Sequence, residues 1–97
     1  MLSRRKGYTI SVGAEERNIL TIRAWGVWKA EDEDLARNFT RELQEQVENV
    51  SKDGKEWCIC EDLVRFCPQS KEVCRILGDG LLFAVRHGMK KAVHCEA

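Results

Sequence analysis

Apolar residues recur along this chain with two different periods. Tyr8-Thr-Ile-Ser-Val12, bounded by Gly7 and Gly13, reads as a strand. Polar Ala14-Glu-Glu-Arg-Asn18 connects it to a second stretch, Ile19 to Trp28, and two strands joined by a short turn fit best. In the second strand Leu20, Ile22, Ala24 and Gly26 share one face by alternation, while Thr21, Arg23 and Trp25 point the other way. After Lys29 the period lengthens: Leu35, Phe39, Leu43, Val47 and Val50, with Ala36 beside them, recur every three or four residues, which predicts an amphipathic helix over roughly 31–50. Its opening Glu31-Asp-Glu-Asp34 puts carboxylates in the first turn, where the helix dipole favours negative charge. A divalent-metal site is the weaker reading of that run, because hard cations need oxygen ligands from converging segments.

Ser51-Lys-Asp-Gly54 punctuates the helix, and Trp57-Cys-Ile-Cys-Glu-Asp-Leu-Val64 then reads as a largely buried central strand. Phe66-Cys-Pro-Gln69 is expected to be a loop. A second helix over about 71–87 opens with Ser70 as N-cap and an early Glu72. Val73, Ile76, Leu77, Leu81 and Ala84 fall on one side of it, and Gly88 suits a left-handed C-terminal cap. Gly78 and Gly80 weaken the helix interior, but the apolar spacing continues in phase past them, which predicts one helix pressed closely on the sheet at its glycine side. Ala92-Val-His-Cys95, after Lys90-Lys91, is a last short strand. The order strand, strand, helix, strand, helix, strand predicts an α/β fold: a mixed sheet of about four strands, the last three parallel, with right-handed crossovers.

Length allows one core and not two in 97 residues, so residues 8–97 form a single domain after a flexible basic segment, 1–7. Sixteen Lys plus Arg balance sixteen Asp plus Glu, which removes the field that a nucleic acid or an anionic membrane surface would require. No apolar run approaches the length of a membrane span, so membrane insertion is not expected. The segment Tyr8 to Val12 is too short and polar to be the apolar core of a signal peptide. Five cysteines (Cys58, Cys60, Cys67, Cys74 and Cys95) form an odd set without a secreted scaffold's spacing, which predicts free thiols in a reducing, cytoplasmic setting.

Three stretches resemble the STAS family, named for sulfate transporters and anti-sigma-factor antagonists, and in particular its SpoIIAA-like branch. They are Asn18-Ile-Leu-Thr-Ile-Arg-Ala-Trp-Gly26 before an acidic helix start, Cys60-Glu-Asp-Leu63 ending the central strand, and Leu81 to Val93 with its helix, Gly-Met turn and Lys-Lys-Ala-Val strand. The resemblance spans about residues 8 to 96 and implies helices packed on one face of a mixed sheet. It also implies function by binding a protein partner, without catalysis. The family places a phosphorylatable serine in an Asp-Ser-Ser-Gly type segment at the start of the second helix. Here that stretch is Cys67-Pro-Gln-Ser-Lys71, and only Ser70 carries over. Family domains also continue through a further helix, strand and helix, so the resemblance implies either a truncated domain or a homo-oligomer that covers the exposed edge, with Trp25 as a contact residue.

Candidate chemistry is sparse. Cys58, Cys60, Cys67, Cys74, His87, His94 and Cys95 lack the paired spacing of structural zinc sites, so buried structural cysteines are favoured and no metal or cofactor is expected. Cys-x-x-Cys is absent, and only Cys67, just before a helix, has a setting that favours the thiolate. Asp62, at the carboxyl end of the central strand, is the most functional-looking acid, because ligands of open α/β sheets gather there; its plain role is to hydrogen-bond the following loop. Arg65, Lys71 and Arg75, around the start of the second helix, read as a solvated surface or as a small docking patch for an acidic partner. The leading expectation is therefore a non-enzymatic STAS-like regulatory or protein-interaction module, regulated at Ser70, with Asp62 to Arg75 as the contact surface. A small-molecule or lipid-binding domain using the sheet–helix crevice is the alternative, and a cysteine-based metal or redox protein the third.

Overall fold

The computed structural model describes residues 5–13, 18–52 and 54–94. In chain order it runs β1 (Gly7–Val12), β2 (Ile19–Trp28), a 3-10 turn (Ala30–Asp32), α1 (Glu33–Ser51), β3 (Trp57–Asp62), β4 (Phe66–Pro68), α2 (Lys71–Arg86) and β5 (Met89–His94). The expected connector over residues 14–17 lies outside the described residues. The sheet order is β1-β2-β3-β5, with β4 also paired to β2. β1 is antiparallel to β2, whereas β3 and β4 both run parallel to β2, and β5 parallel to β3. This is the mixed α/β sheet that the order of elements predicts.

One expectation needs correction. The sequence predicts a loop over Phe66-Cys-Pro-Gln69, but Phe66–Pro68 forms a fifth strand beside Gly26, Val27 and Trp28. A three-residue strand containing proline shows no period of its own, and Pro68, which lacks an N–H, sits at its end. β2 is long enough to serve both partners, with β3 alongside Ile19 to Arg23 and β4 alongside Gly26 to Trp28. Gly26 marks the change, at φ +91°. Its N–H donates to the Arg65 carbonyl at 2.8 Å.

Leu20, Ile22, Ala24 and Trp28 of β2 and Trp57 and Ile59 of β3 are buried with Phe39, Leu43, Val47 and Val50 of α1 and Val73, Ile76 and Ala84 of α2. A single core thus lies between one face of the sheet and both helices. The opposite face, with Thr9, Thr21 and Arg23, is exposed. Four rings close the core near the end of β2: Trp28 meets Tyr8, Phe39 and Phe66 edge-on at 6.2, 5.9 and 4.8 Å between centroids. Trp57, also buried, donates its indole N–H to the His87 carbonyl at 2.9 Å and so ties the end of α2 to β3.

The acidic run starts the helix in two steps. Glu31 and Asp32 belong to the 3-10 turn, and α1 proper begins at Glu33. Asp32 accepts the Lys29 N–H at 2.8 Å and the Lys6 ammonium at 2.9 Å. The Lys29 bond first, and Lys6 second, hold its carboxyl below the ordinary aspartate value. Glu33 and Asp34 reach Arg37 at 3.2 and 3.7 Å, so each of these three acids faces a cation of the chain itself.

α2 runs unbroken through both glycines, as expected. The glycine side, however, presses on α1 and not on the sheet. A Cβ on Gly80 would lie 3.2 Å from Thr40 Cγ2 and 3.3 Å from Leu43 Cδ2. The Thr40 hydroxyl donates to the Ile76 carbonyl at 3.2 Å in the same seam. Centring the contact on Gly80 turns Leu81, about 100° further round the helix, out to solvent. Leu81 was expected among the buried residues and is 45% exposed. Gly88, at φ +86°, ends the helix as predicted. The last strand begins at Met89, three residues earlier than expected, because Met89 already pairs with Trp57.

Tyr8 offers a direct test of this core. Burial, reinforced by a hydrogen bond to the Glu42 carboxylate, pushes its phenol from 10.0 up to about 12. It is the only tyrosine, so ultraviolet titration reads it alone. The native midpoint should lie near 12 and fall toward 10 when the chain is unfolded in urea. Because the folded value is the higher one, this contribution to stability is complete below about pH 10 and is lost as pH rises through about 12. A native midpoint near 10 would show that the ring is not held as described.

Candidate functional site at the carboxyl edge of the parallel strands

β2, β3 and β4 run parallel, so Trp28, Asp62 and Pro68 end on one edge of the sheet, and α1 and α2 both begin there. Open α/β sheets place their ligands on this edge. The Gln69 N–H donates to the Trp28 carbonyl at 2.9 Å and fixes the chain just before α2. Ser70 follows with extended backbone (φ −118°, ψ 136°), and its hydroxyl accepts the Val73 N–H at 3.3 Å. The N-cap reading of Ser70 therefore matches the geometry. The side chain is half-buried, with exposed Lys71 beside it.

Arg75 does not stand as a free cation. Its guanidinium contacts Glu72 within the same turn and reaches Asp79 at 3.5 Å. Its hydrogen bond in turn keeps the Glu72 carboxyl below the usual range. This Glu72-Arg75-Asp79 ladder was legible as i,i+3 and i,i+4 spacing, but attention to the cations alone missed it. The positive charge of the expected patch thus rests on Lys71 and on exposed Arg65, whose carbonyl is engaged with Gly26.

Asp62 has both a plain role and an unforeseen one. Its Oδ1 accepts the Val64 N–H two residues on at 3.4 Å, the loop contact that the sequence suggests. Its Oδ2 lies 3.2 Å from Arg23 Nε, directly across the β2–β3 register. That pairing belongs to the sheet face opposite the helices. The structure therefore brings Ser70, Lys71 and Arg75 together at the start of α2 and sets Asp62, on the opposite sheet face, apart from them.

Cys58, Cys67 and Cys74 are free thiols, as expected, but Cys60 is disulfide-bonded. The prediction of free thiols throughout is corrected at that position, because sequence spacing cannot show which chain segments the sheet brings beside β3. The thiol-based argument for a reducing compartment falls with it. Cys95 and the side chain of His94 lie outside the described residues. His87 stacks on Phe83 at 4.0 Å, and its Nδ1 lies 2.9 Å from the Phe83 carbonyl, a helix-end role. Among the described residues no three of His, Cys, Asp or Glu converge as metal ligands, and no helix is long and apolar enough to cross a membrane.

The fold defines an α/β class with helices on one face of a mixed sheet, the architecture that the STAS resemblance implies. Comparison with solved structures finds similarity to the Bacillus cell fate determinant SpoIIAA in its phosphorylated form. The match has a TM-score of 0.46 and 9% identity, and covers 87% of this chain and 68% of that one. No protein-family model matches the chain. No curated protein matches it either.

Proposed function

We propose that this chain is a non-enzymatic, STAS-like regulatory module that binds a protein partner through the carboxyl edge and the first turn of α2, with Ser70 as its point of control. The observation that carries the reading is the place of Ser70. It caps α2 beside Lys71, where the resemblance puts the family's regulatory serine. A phosphate there would bring about two negative charges to the positive end of the helix. It would also replace a neutral cap by an anionic one on the docking surface. Arg65 and Lys71 supply the charge that selects an acidic partner, and Asp62 marks the far side of the same edge.

The structural role of Ser70 sets the baseline of the test. Ser70→Ala loses the Val73 bond and should cost about 0.5–2 kcal/mol in urea denaturation, whereas Ser70→Asp, which keeps a capping oxygen, should be nearly neutral. Regulation is read separately, as phosphate on Ser70 in protein from the native host and as altered partner binding by the Ser70→Asp form. The regulatory reading fails if the host protein carries no phosphate there and Ser70→Asp retains the same partners as the unmodified chain.

A further inference from the structure

Helix α2 is apolar on more than the face it buries. Leu81, Leu82 and Val85 are 45, 46 and 53% exposed, and Cys74 and Gly78 are exposed among them. At about 100° per residue these five span an arc of about 100° opposite buried Gly80 and Ile76. A surface helix of one domain ordinarily presents charge there.

Gly78 adds an independent observation. The fold explains Gly80, which has no room for a Cβ against Thr40 and Leu43. It does not explain Gly78: a Cβ there would meet nothing within 4 Å, and its φ is not positive. A glycine weakens a helix relative to alanine, so this one is a cost that the isolated chain has no use for. What it leaves is a notch in the apolar strip, two helical turns from Val85.

Asp79 and Arg86 repeat that seven-residue spacing on the adjoining flank. Asp79 is 60% exposed, and exposed Arg86 has no ion-pair partner among the described residues. Two helices packed antiparallel about a two-fold axis meet like flank to like flank, and each residue pair is used twice. In the register that crosses Leu81 over Leu82, Val85 of each copy falls opposite Gly78 of the other. The same register brings Asp79 of each copy within reach of Arg86 of the other. Parallel packing would instead appose unlike flanks, leaving Asp79 and Arg86 of the two copies on opposite sides of the contact and unpaired.

We propose that the exposed face of α2 is a homodimer interface, in which a second copy of this chain packs its own α2 antiparallel across the strip, with Val85 in the Gly78 notch and reciprocal Asp79–Arg86 pairs. The occupant is a second copy because shape and charge are complementary to themselves in one register. The contact lies on the helical side of the sheet, away from Trp25. It does not depend on the regulatory reading of Ser70.

Sedimentation equilibrium of the full chain, from about 5 to about 500 micromolar, should show a reversible monomer–dimer equilibrium of the kind small interfaces support. Gly78→Leu fills the notch without touching the core, so it should keep the native circular dichroism while raising the dissociation constant at least about tenfold. Arg86→Asp turns two attractive contacts into repulsive ones and should weaken the dimer by about tenfold. Adding Asp79→Arg to it should restore most of the affinity. The proposal is overturned by a monomer throughout the range, or by a dimer indifferent to both Gly78→Leu and Arg86→Asp. It is equally overturned by a folded Asp79→Arg, Arg86→Asp double variant that associates no better than Arg86→Asp alone, or by a monomeric chain that binds lipid vesicles through this face.

Discussion

Trp28→Ala should remove about 3–5 kcal/mol of folding stability, the largest loss expected from any single truncation in this chain. Trp28 is fully buried and stands edge-on to three rings contributed by β1, α1 and β4. Its indole N–H also donates to the Trp25 carbonyl at 3.1 Å. Truncation would leave a cavity bordered by three elements distant from one another in the chain, and small domains have only about 5–15 kcal/mol in total. Urea denaturation followed by far-ultraviolet circular dichroism should therefore find the variant close to its unfolding midpoint without denaturant. Trp28→Phe keeps an aromatic partner for Phe66 and should lose appreciably less. A cost below about 1.5 kcal/mol for Trp28→Ala, the scale of a volume-conserving swap, would mean that the rings do not converge as described.

Gly26→Ala should be nearly as damaging, for a different reason. The position holds φ +91°, where an L side chain is strained by about 1–3 kcal/mol. An added Cβ would also lie 2.1 Å from the Arg5 carbonyl oxygen and 2.6 Å from Lys6 Cα. Both obstacles are backbone, so the segment before β1 must shift, and with it the Lys6–Asp32 ion pair. The expected result is a loss above about 3 kcal/mol, combining strain with displacement. Gly78→Ala, in open helical space, should instead stabilise the monomer by up to about 1 kcal/mol. If Gly26→Ala falls within about 0.5 kcal/mol of the parent, the range of ordinary surface changes, the backbone around Gly26 is not as tight as described.

Features with a period were legible in the sequence. Phe39, Leu43, Val47 and Val50 are buried where a 3.6-residue repeat puts them, and Leu20, Ile22 and Ala24 where a two-residue repeat does. The Ser70 cap and the Gly88 stop were legible because each rests on chemistry within four residues. What escaped depends on contacts between distant segments. β4 exists only because β2 extends past β3. The Arg23–Asp62 pair needs a parallel register that no local pattern encodes. Leu81 points outward because Thr40 and Leu43, half the chain away, decide which side of α2 approaches α1. The candidate site divides along the same line: the capping serine was readable, whereas the neutralisation of Arg75 and the separate face of Asp62 were not.

The double use of β2 has a consequence for biosynthesis. One edge of this strand finds its partner in β1, which precedes it in the chain. The other edge is shared between β3 and β4, which the ribosome releases only after all of α1. Until Trp57 and the residues after it have emerged, β2 carries unpaired amides and carbonyls beside the apolar row of Leu20, Ile22 and Ala24, a template for pairing with a neighbouring chain. The interval closes when residues 57–68 emerge and settle side by side along a strand made some thirty residues earlier.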